Sequence, residues 1–483
     1  MPPLAIHSHI APALAAAARR VGYDEAGLAR LLGLEGEPVP VSRLTAPSLT
    51  PRCTGGLGTW VRLFLLRSTG RTAPTAREAE RALGGSLLAE LVAAGLLERR
   101  AGRITSPVQL VVDDGGLLMS DPGGVRCASD HVMALGPSSL DVWALTPAEV
   151  AGRRFLELGT GSGGLALRWA RRGARLTATD VNPRALALAG LNAALSGLTL
   201  ELVEGDRFAP LVPGERYDGI FMNAPFVIGA PHRLLFRDPG EPGDDFVASL
   251  VRGVGQHLSA SGSLRIALAW LDLVEAEGAS RVASWLPDGH EGWLHVRRSH
   301  SVDRYVESWL AESGERGAYA ARCRAWTGTL RSLGATRVHT GLLVVRPGGG
   351  GLTMVPSAEG IDASLGAVVD RWLDAKAQWT HHAHHDVRHA RVSPVEGLRI
   401  SQGWCAAAGA WDGPETVLET TRGLSRRLQV DARVMAVVSR LDGRRTVVEA
   451  AEGVLSPEDA MTQVAALVEA GLLDVSTREE AVG

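Results

Sequence analysis

Phe155-Leu156-Glu157-Leu158-Gly159-Thr160-Gly161-Ser162-Gly163-Gly164 reads as a short apolar strand, a glycine-rich turn and the opening of a helix. Glycines let the backbone approach a ligand closely, and a helix N-terminus offers free amide groups at the same place. Outward from this stretch the chain alternates apolar strands, at residues 154–158, 175–179, 199–204, 219–222 and 263–270, with helices at 164–171, 183–196 and 245–258. Such alternation predicts an α/β fold, with a mainly parallel sheet covered by helices on both faces and a ligand site at the carboxyl ends of the strands.

The glycines alone leave two ligands open. Gly159, Gly161 and Gly164 satisfy the dinucleotide pattern GxGxxG, and Asp180 lies at a distance suited to an adenosine ribose. Three features favour S-adenosylmethionine over a nicotinamide dinucleotide. Glu157 precedes the glycines, where it can hold a charged ammonium group directly or through water and would repel a pyrophosphate. Asp206, in Glu204-Gly205-Asp206, ends the third strand, where a carboxylate can accept from an adenine amino group. Asn223-Ala224-Pro225-Phe226 directly follows the apolar strand Gly219-Ile220-Phe221-Met222.

With these four sites in order at successive strand ends, the sequence resembles the class I S-adenosylmethionine-dependent methyltransferases, and among them the small-methyltransferase group with an Asn-Pro-Pro-Phe/Tyr motif. That group includes the release factor glutamine methyltransferases and enzymes that methylate exocyclic base amines. The resemblance is strong from Phe155 to Trp270. It extends more loosely over the whole chain, to a long bacterial methyltransferase family whose landmarks match Leu63-Phe64-Leu65-Leu66, Ser129-Asp130-His131-Val132, Asn223 to Ile228 and Arg422-Gly423-Leu424. It implies a Rossmann-like seven-stranded sheet with winged-helix-like flanks and S-adenosylhomocysteine as the spent cofactor. It also implies a cofactor site on Glu157, Gly159, Thr160, Gly161, Gly163, Asp180, Val181, Asp206, Arg207 and Asn223. Asn223, Ala224, Pro225 and Phe226 would hold the nitrogen that receives the methyl group.

An amide or aromatic amine suits that motif. Its lone pair is delocalised, so the site should accept both N–H groups and aim the lone pair at the methyl carbon. Asn223 offers a side-chain oxygen, residue 224 a backbone carbonyl and Phe226 a ring for stacking. Ala224 stands where the family has proline. The backbone acceptor survives, but the fixed φ, worth roughly 0.4 to 1 kcal/mol, is lost. We therefore expect methylation of an amide or amine nitrogen on a protein, peptide or small-molecule acceptor. The alternatives are an RNA or DNA base N-methyltransferase and a non-catalytic S-adenosylmethionine-binding transcriptional regulator.

The 483 residues call for more than one domain, and the periodicity changes twice. Residues 1–122 read as a helical, winged-helix-like domain with an extended hairpin turning at Asp113-Asp114-Gly115-Gly116; residues 123–347 as the methyltransferase domain; residues 348–483 as an extension ending in a second winged-helix-like module. Fifty basic side chains against 53 acidic ones give a net charge of −3, which lacks the electrostatic footprint of a nucleic-acid binder. Four dispersed cysteines without a CxxC pair fit a reducing cytoplasm, and no apolar run is long enough to span a membrane.

Several candidates are given structural roles. His381, His385 and His389 recur at helical spacing, but a solvated helix face outweighs a metal site, so no metal is expected. Ser138-Ser139 and Asp244-Asp245 read as helix caps, with a cofactor-pocket contact as the alternative that the resemblance gives Ser138-Ser139, and Trp169 and Trp270 read as core. Arg422, Arg426 and Arg427 read as a salt-bridge face, because acids outnumber arginines from Ala390 onward.

Overall fold

The computed structural model describes residues 10–33, 53–66, 68–122, 128–225, 227–229, 240–312, 319–355, 361–385, 389–407, 410–420, 422–423 and 425–476. The chain divides into two compact units. The first unit joins Met1–Leu140 to Val150–Gly278 and Ser299–His339; the second comprises Asp141–Glu149, Ala279–Arg298 and Thr340–Gly483.

Eight strands make the main sheet: β1 Arg154–Leu158, β2 Arg175–Asp180, β3 Glu201–Glu204, β4 Tyr217–Asn223, β5 Leu258–Leu273, β6 His290–Ser301, β7 Ala335–Pro347 and β8 Leu352–Val355. Their order is β8-β6-β7-β5-β4-β1-β2-β3. The pairings of β5 with β4, β4 with β1, β1 with β2 and β2 with β3 are all parallel, as the apolar runs predict. The eighth strand, absent from the seven-strand expectation, is β8. It lies beyond the glycine run Gly348 to Gly351 and pairs in parallel with β6.

Two helices matter most to the site: α1 (Gly164–Arg171) after β1, and α2 (Pro183–Ser196) after β2. Pro183 sits in the first turn of α2, where its missing N–H costs nothing, and Asn182 caps that turn by accepting from Arg184 N. Trp169 of α1 is fully buried in an aromatic cluster with Phe155 and Phe221, and Trp270 of β5 is also fully buried.

The N-terminal part of the first unit contains the expected helices, Ile10–Val21 and Glu25–Leu32, the second closed by Gly33 in the left-handed conformation. Helices Gly55–Trp60, Ala76–Leu83 and Gly85–Ala93 follow, then two hairpins, Glu98–Arg100 with Arg103–Thr105 and Gln109–Asp113 with Gly116–Ser120. These elements share one hydrophobic core with α2: Ile10, Leu14, Leu88 and Leu91 belong to the same buried cluster as Leu188, Leu191 and Leu195. Asn192 of α2 is fully buried in that seam. Its side chain accepts from Met119 N at 2.7 Å and donates to Met119 O and Ser162 O, both at 2.8 Å, so it ties the second hairpin to the glycine turn. Arg168 of α1 makes two bonds to the Asp113 carboxylate at the hairpin's tip.

Within the second unit the stretch that carries little readable pattern is ordered. The helix α3 (Leu365–His385) is followed by an antiparallel sheet of Leu398–Ala407, Ala410–Thr420 and Arg426–Val430. Helices Ala432–Val438, Val447–Ala451 and Pro457–Glu469 then lead to Leu473–Val475, which pairs with Val392–Pro394. Among the described residues α3 runs to His385, His389 falls outside it, and no group that could hold a metal ion occurs. No described helix is long and apolar enough to cross a membrane.

Candidate functional site

The site residues converge on the carboxyl ends of β1, β2, β3 and β4, all in the first unit. After β1 the turn takes three left-handed glycines, Gly159, Gly161 and Gly163. Two of them are needed for different reasons. A Cβ on Gly163 would lie 2.9 Å from the Cβ of Ala189, so this glycine lets α1 and α2 close on one another. A Cβ on Gly161 (φ +57°) would meet nothing within 4 Å, which leaves open space directly over the turn.

Glu157 is only 4% exposed. Its Oε2 accepts from Thr160 Oγ1 at 2.6 Å and from Ala166 N, in the first turn of α1, at 3.1 Å. Thr160 N in turn donates to Thr179 O at 2.9 Å, locking the glycine turn to β2. Burial pushes the Glu157 carboxyl up to about 8; the bonds from Thr160 and Ala166 oppose that shift, and the neighbouring Asp180 charge adds to it.

Asp180 ends β2. Its Oδ2 accepts from Gly161 N and its Oδ1 from Asn182 N, each at 2.9 Å, and burial raises its pKa against the pull of these amides. Val181 beside it is an exposed apolar side chain. Gly205 N donates to Asp180 O at 3.0 Å, which places the end of β3 beside the end of β2. Asp206 is exposed and bound by its neighbour, with Arg207 Nε and Nη2 at 3.1 and 3.0 Å. The Arg207 guanidinium also reaches Glu241 at 2.8 Å and Ser249 Oγ at 2.6 Å, and lies over the ring of Phe246.

Asn223 ends β4. Its Nδ2 donates to Ser139 Oγ at 3.1 Å, while its Oδ1 is buried and has no hydrogen-bond partner. A buried acceptor without a donor is costly, and such atoms in native folds call for an explanation. Ala224 is buried, and its N–H donates to Ala267 O at 3.3 Å, a ladder bond that a proline could not make. That bond, worth about 0.5 to 1.5 kcal/mol, offsets the lost proline restraint. Pro225 is half-buried; Phe226 lies outside the described residues.

Sequence reasoning gave Ser139 and Asp244 to helix capping, and both side chains do something else. Ser139 lies inside the helix Pro137–Ala144 and fixes the amide of Asn223. Asp244, 3% exposed, makes no cap bond and instead accepts from Leu271 N of β5 at 2.9 Å. Asn182 and Asn192 carried no readable signal. Asn182 Nδ2 donates to Asp130 O at 2.9 Å, which gives the landmark Ser129-Asp130-His131-Val132 a place against the start of α2.

Comparison with known proteins bears on the family. A family model described as methyltransferase small domain matches residues 142–269. The release factor glutamine methyltransferase of Deinococcus radiodurans is 34% identical over 226 residues, which are 42% of this chain and 78% of that protein. That of Cereibacter sphaeroides is 39% identical over 28% of this chain and 54% of its own length. The ribosomal protein L11 methyltransferase of Geobacter sulfurreducens is 34% identical over 34% of this chain and half of its own length. Apart from the Deinococcus protein, these matches span about half of each relative. Among solved structures, the T. thermophilus 16S rRNA N2 G1207 methyltransferase in complex with AdoMet and guanosine matches 44% of this chain and 57% of that one, at 19% identity and a TM-score of 0.28. The chain belongs to the S-adenosylmethionine-dependent methyltransferases of the small-domain family that includes the release factor glutamine methyltransferases.

Proposed function

We propose that this methyltransferase acts on a planar amide nitrogen carried by a protein, with the chemistry of a glutamine side chain. The observation that carries this reading is the buried, unpartnered Asn223 Oδ1 at the end of β4. It is the acceptor that an amide N–H would satisfy, while the amide nitrogen of the same side chain donates to Ser139 Oγ. The names of the relatives, methyltransferases of release factors and of a ribosomal protein, support a protein acceptor.

The residues present fit S-adenosylmethionine. Space is open over Gly161, Asp180 offers a ribose two carboxylate oxygens, Val181 offers the adenine an exposed apolar edge, and Asp206 lies at the end of β3 where an adenine amine would reach. When bound, the cofactor supplies the electrophilic methyl group. Gly159, Thr160, Gly161 and Gly163 shape its cradle, Glu157 braces the turn from below, and Arg207 orients the Asp206 carboxylate. Asn223 Oδ1 and the Ala224 carbonyl accept the two N–H groups of the acceptor and leave its lone pair facing the cofactor. Such positioning can contribute up to about 7 to 11 kcal/mol. In the same reading the winged-helix-like segments flanking the site are packing modules rather than nucleic-acid readers, supported by the shared core around α2.

Two measurements test this. Asp180→Ala removes the ribose acceptor, so calorimetric titration with S-adenosylhomocysteine should show affinity weakened by about 1 to 3 kcal/mol; unchanged affinity would remove Asp180 from the cofactor site. Incubation with tritiated S-adenosylmethionine and size-fractionated cell extract should leave label that protease releases and nuclease does not. The opposite pattern identifies a nucleic-acid acceptor and overturns the proposal.

A further inference from the structure

The second unit holds a pocket between α3 and the three-stranded sheet, lined by Trp293, Val369, Arg371, Trp372, Arg426 and Asp474 among others. Two buried donors at this cavity have no acceptor: Nη1 of Arg426 and Nε1 of the fully buried Trp293. The Arg426 guanidinium carbon lies 3.7 Å from the centre of the Trp372 ring, and Trp372 is itself fixed by donation from its Nε1 to Val468 O at 3.1 Å. Gly471 makes room for this stack, since a Cβ there would lie 2.7 Å from Arg426 Nη1 and 2.8 Å from Trp372.

The salt-bridge face expected of Arg422, Arg426 and Arg427 is therefore only partly realised. Arg422 pairs with Glu396 and Arg427 with Glu419, whereas Arg426 forms no ion pair among the described residues. Burial lowers its pKa to about 10, so it keeps its charge at neutral pH. A largely buried cation without an ion pair is stabilised when a ligand supplies a counter-charge.

We propose that this cavity is a second ligand site, for a small monocarboxylate with an apolar or aromatic body. The guanidinium fork, stacked on Trp372, leaves its in-plane N–H groups for a bidentate carboxylate, and Trp293, Leu365, Val368 and Val369 accept the apolar part. Charge selects the class. The lining carries Arg371, Arg422 and Arg426 against Glu396 and Asp474, with Arg422 paired to Glu396, so one positive charge is in excess, which a monoanion balances and a dianionic phosphate exceeds. The proposal is independent of the methyl acceptor, since every lining residue belongs to the second unit.

Titration of the full chain with 3-phenylpropionate, 3-phenylpropionamide and phenyl phosphate tests it. Saturable binding of the carboxylate is expected, with the amide weaker by about tenfold or more, the loss of a charge-assisted pair. Arg426→Gln should lose carboxylate binding to a similar degree while holding its melting temperature and its affinity for S-adenosylhomocysteine. Equal binding of acid and amide, tighter binding of phenyl phosphate, or no saturable binding of any of the three would overturn the proposal. If Arg426→Gln does not fold, the acid and amide comparison on the unmodified chain decides it.

Discussion

Asn223→Ala should slow methyl transfer by about two to three orders of magnitude while leaving S-adenosylhomocysteine affinity nearly unchanged. That is the scale on which losing one preorganised hydrogen-bonding group aimed at the reacting centre lowers a rate. Asn223 Oδ1 is already desolvated and unpartnered, so no bond within the protein has to break before it accepts from the acceptor nitrogen. Ser139→Ala offers a graded control. Without the Ser139 hydroxyl the Asn223 amide loses the hydrogen bond that holds its side chain in place, and a loss of about tenfold is expected. Single-turnover transfer to the labelled protein fraction, with calorimetry on the same variants, separates the chemical step from cofactor binding. A rate for Asn223→Ala within a factor of about two of the unmodified enzyme would remove the side chain from the mechanism.

The parallel strands and their terminal carboxylates were legible because each strand is a short apolar run closed by a polar residue with a defined job. Leu158-Gly159, Thr179-Asp180 and Met222-Asn223 mark the strand ends. Ser139 was not legible in the same way. Its partner Asn223 lies 84 residues away, and a serine near a proline at a helix start carries the same local pattern whether it caps that helix or bonds across the fold. Asn192 was invisible for a related reason: a polar residue inside an alanine- and leucine-rich helix reads as solvent-facing, yet Asn192 is fully buried and satisfied on both sides. Its bonds and the leucines around it tie the described N-terminal elements to α2. In the second unit, strands such as Leu398-Arg399-Ile400-Ser401-Gln402 alternate cleanly, but the polar and glycine-rich sequence around them hides the sheet.

Glu157 should make the stability of the empty protein fall as pH rises from about 5 to about 8, the reverse of what ion-paired carboxylates do. Its ordinary value is 4.5, and burial beneath the glycine turn raises it to about 8. Between those values the folded chain keeps a proton that the unfolded chain has lost, so each step upward in pH favours unfolding. The full span corresponds to at most about 5 kcal/mol, reached above the folded value and absent below the unfolded one. Glu157→Gln retains a carbonyl to accept from Thr160 and Ala166 but cannot ionise, and should flatten this dependence in urea unfolding followed across that window. The same carboxyl makes cofactor binding proton-linked. A ligand that brings a positive ammonium group near Glu157 favours its ionised form, so S-adenosylhomocysteine should displace up to about one proton at pH 7 and almost none at pH 9, where the carboxyl has already ionised. Calorimetry at pH 7 in phosphate and in Tris, whose ionisation enthalpies differ widely, reads that proton directly. Identical enthalpies in the two buffers would show that Glu157 does not sense the ligand's charge, and would leave it only the task of bracing the turn between Thr160 and Ala166.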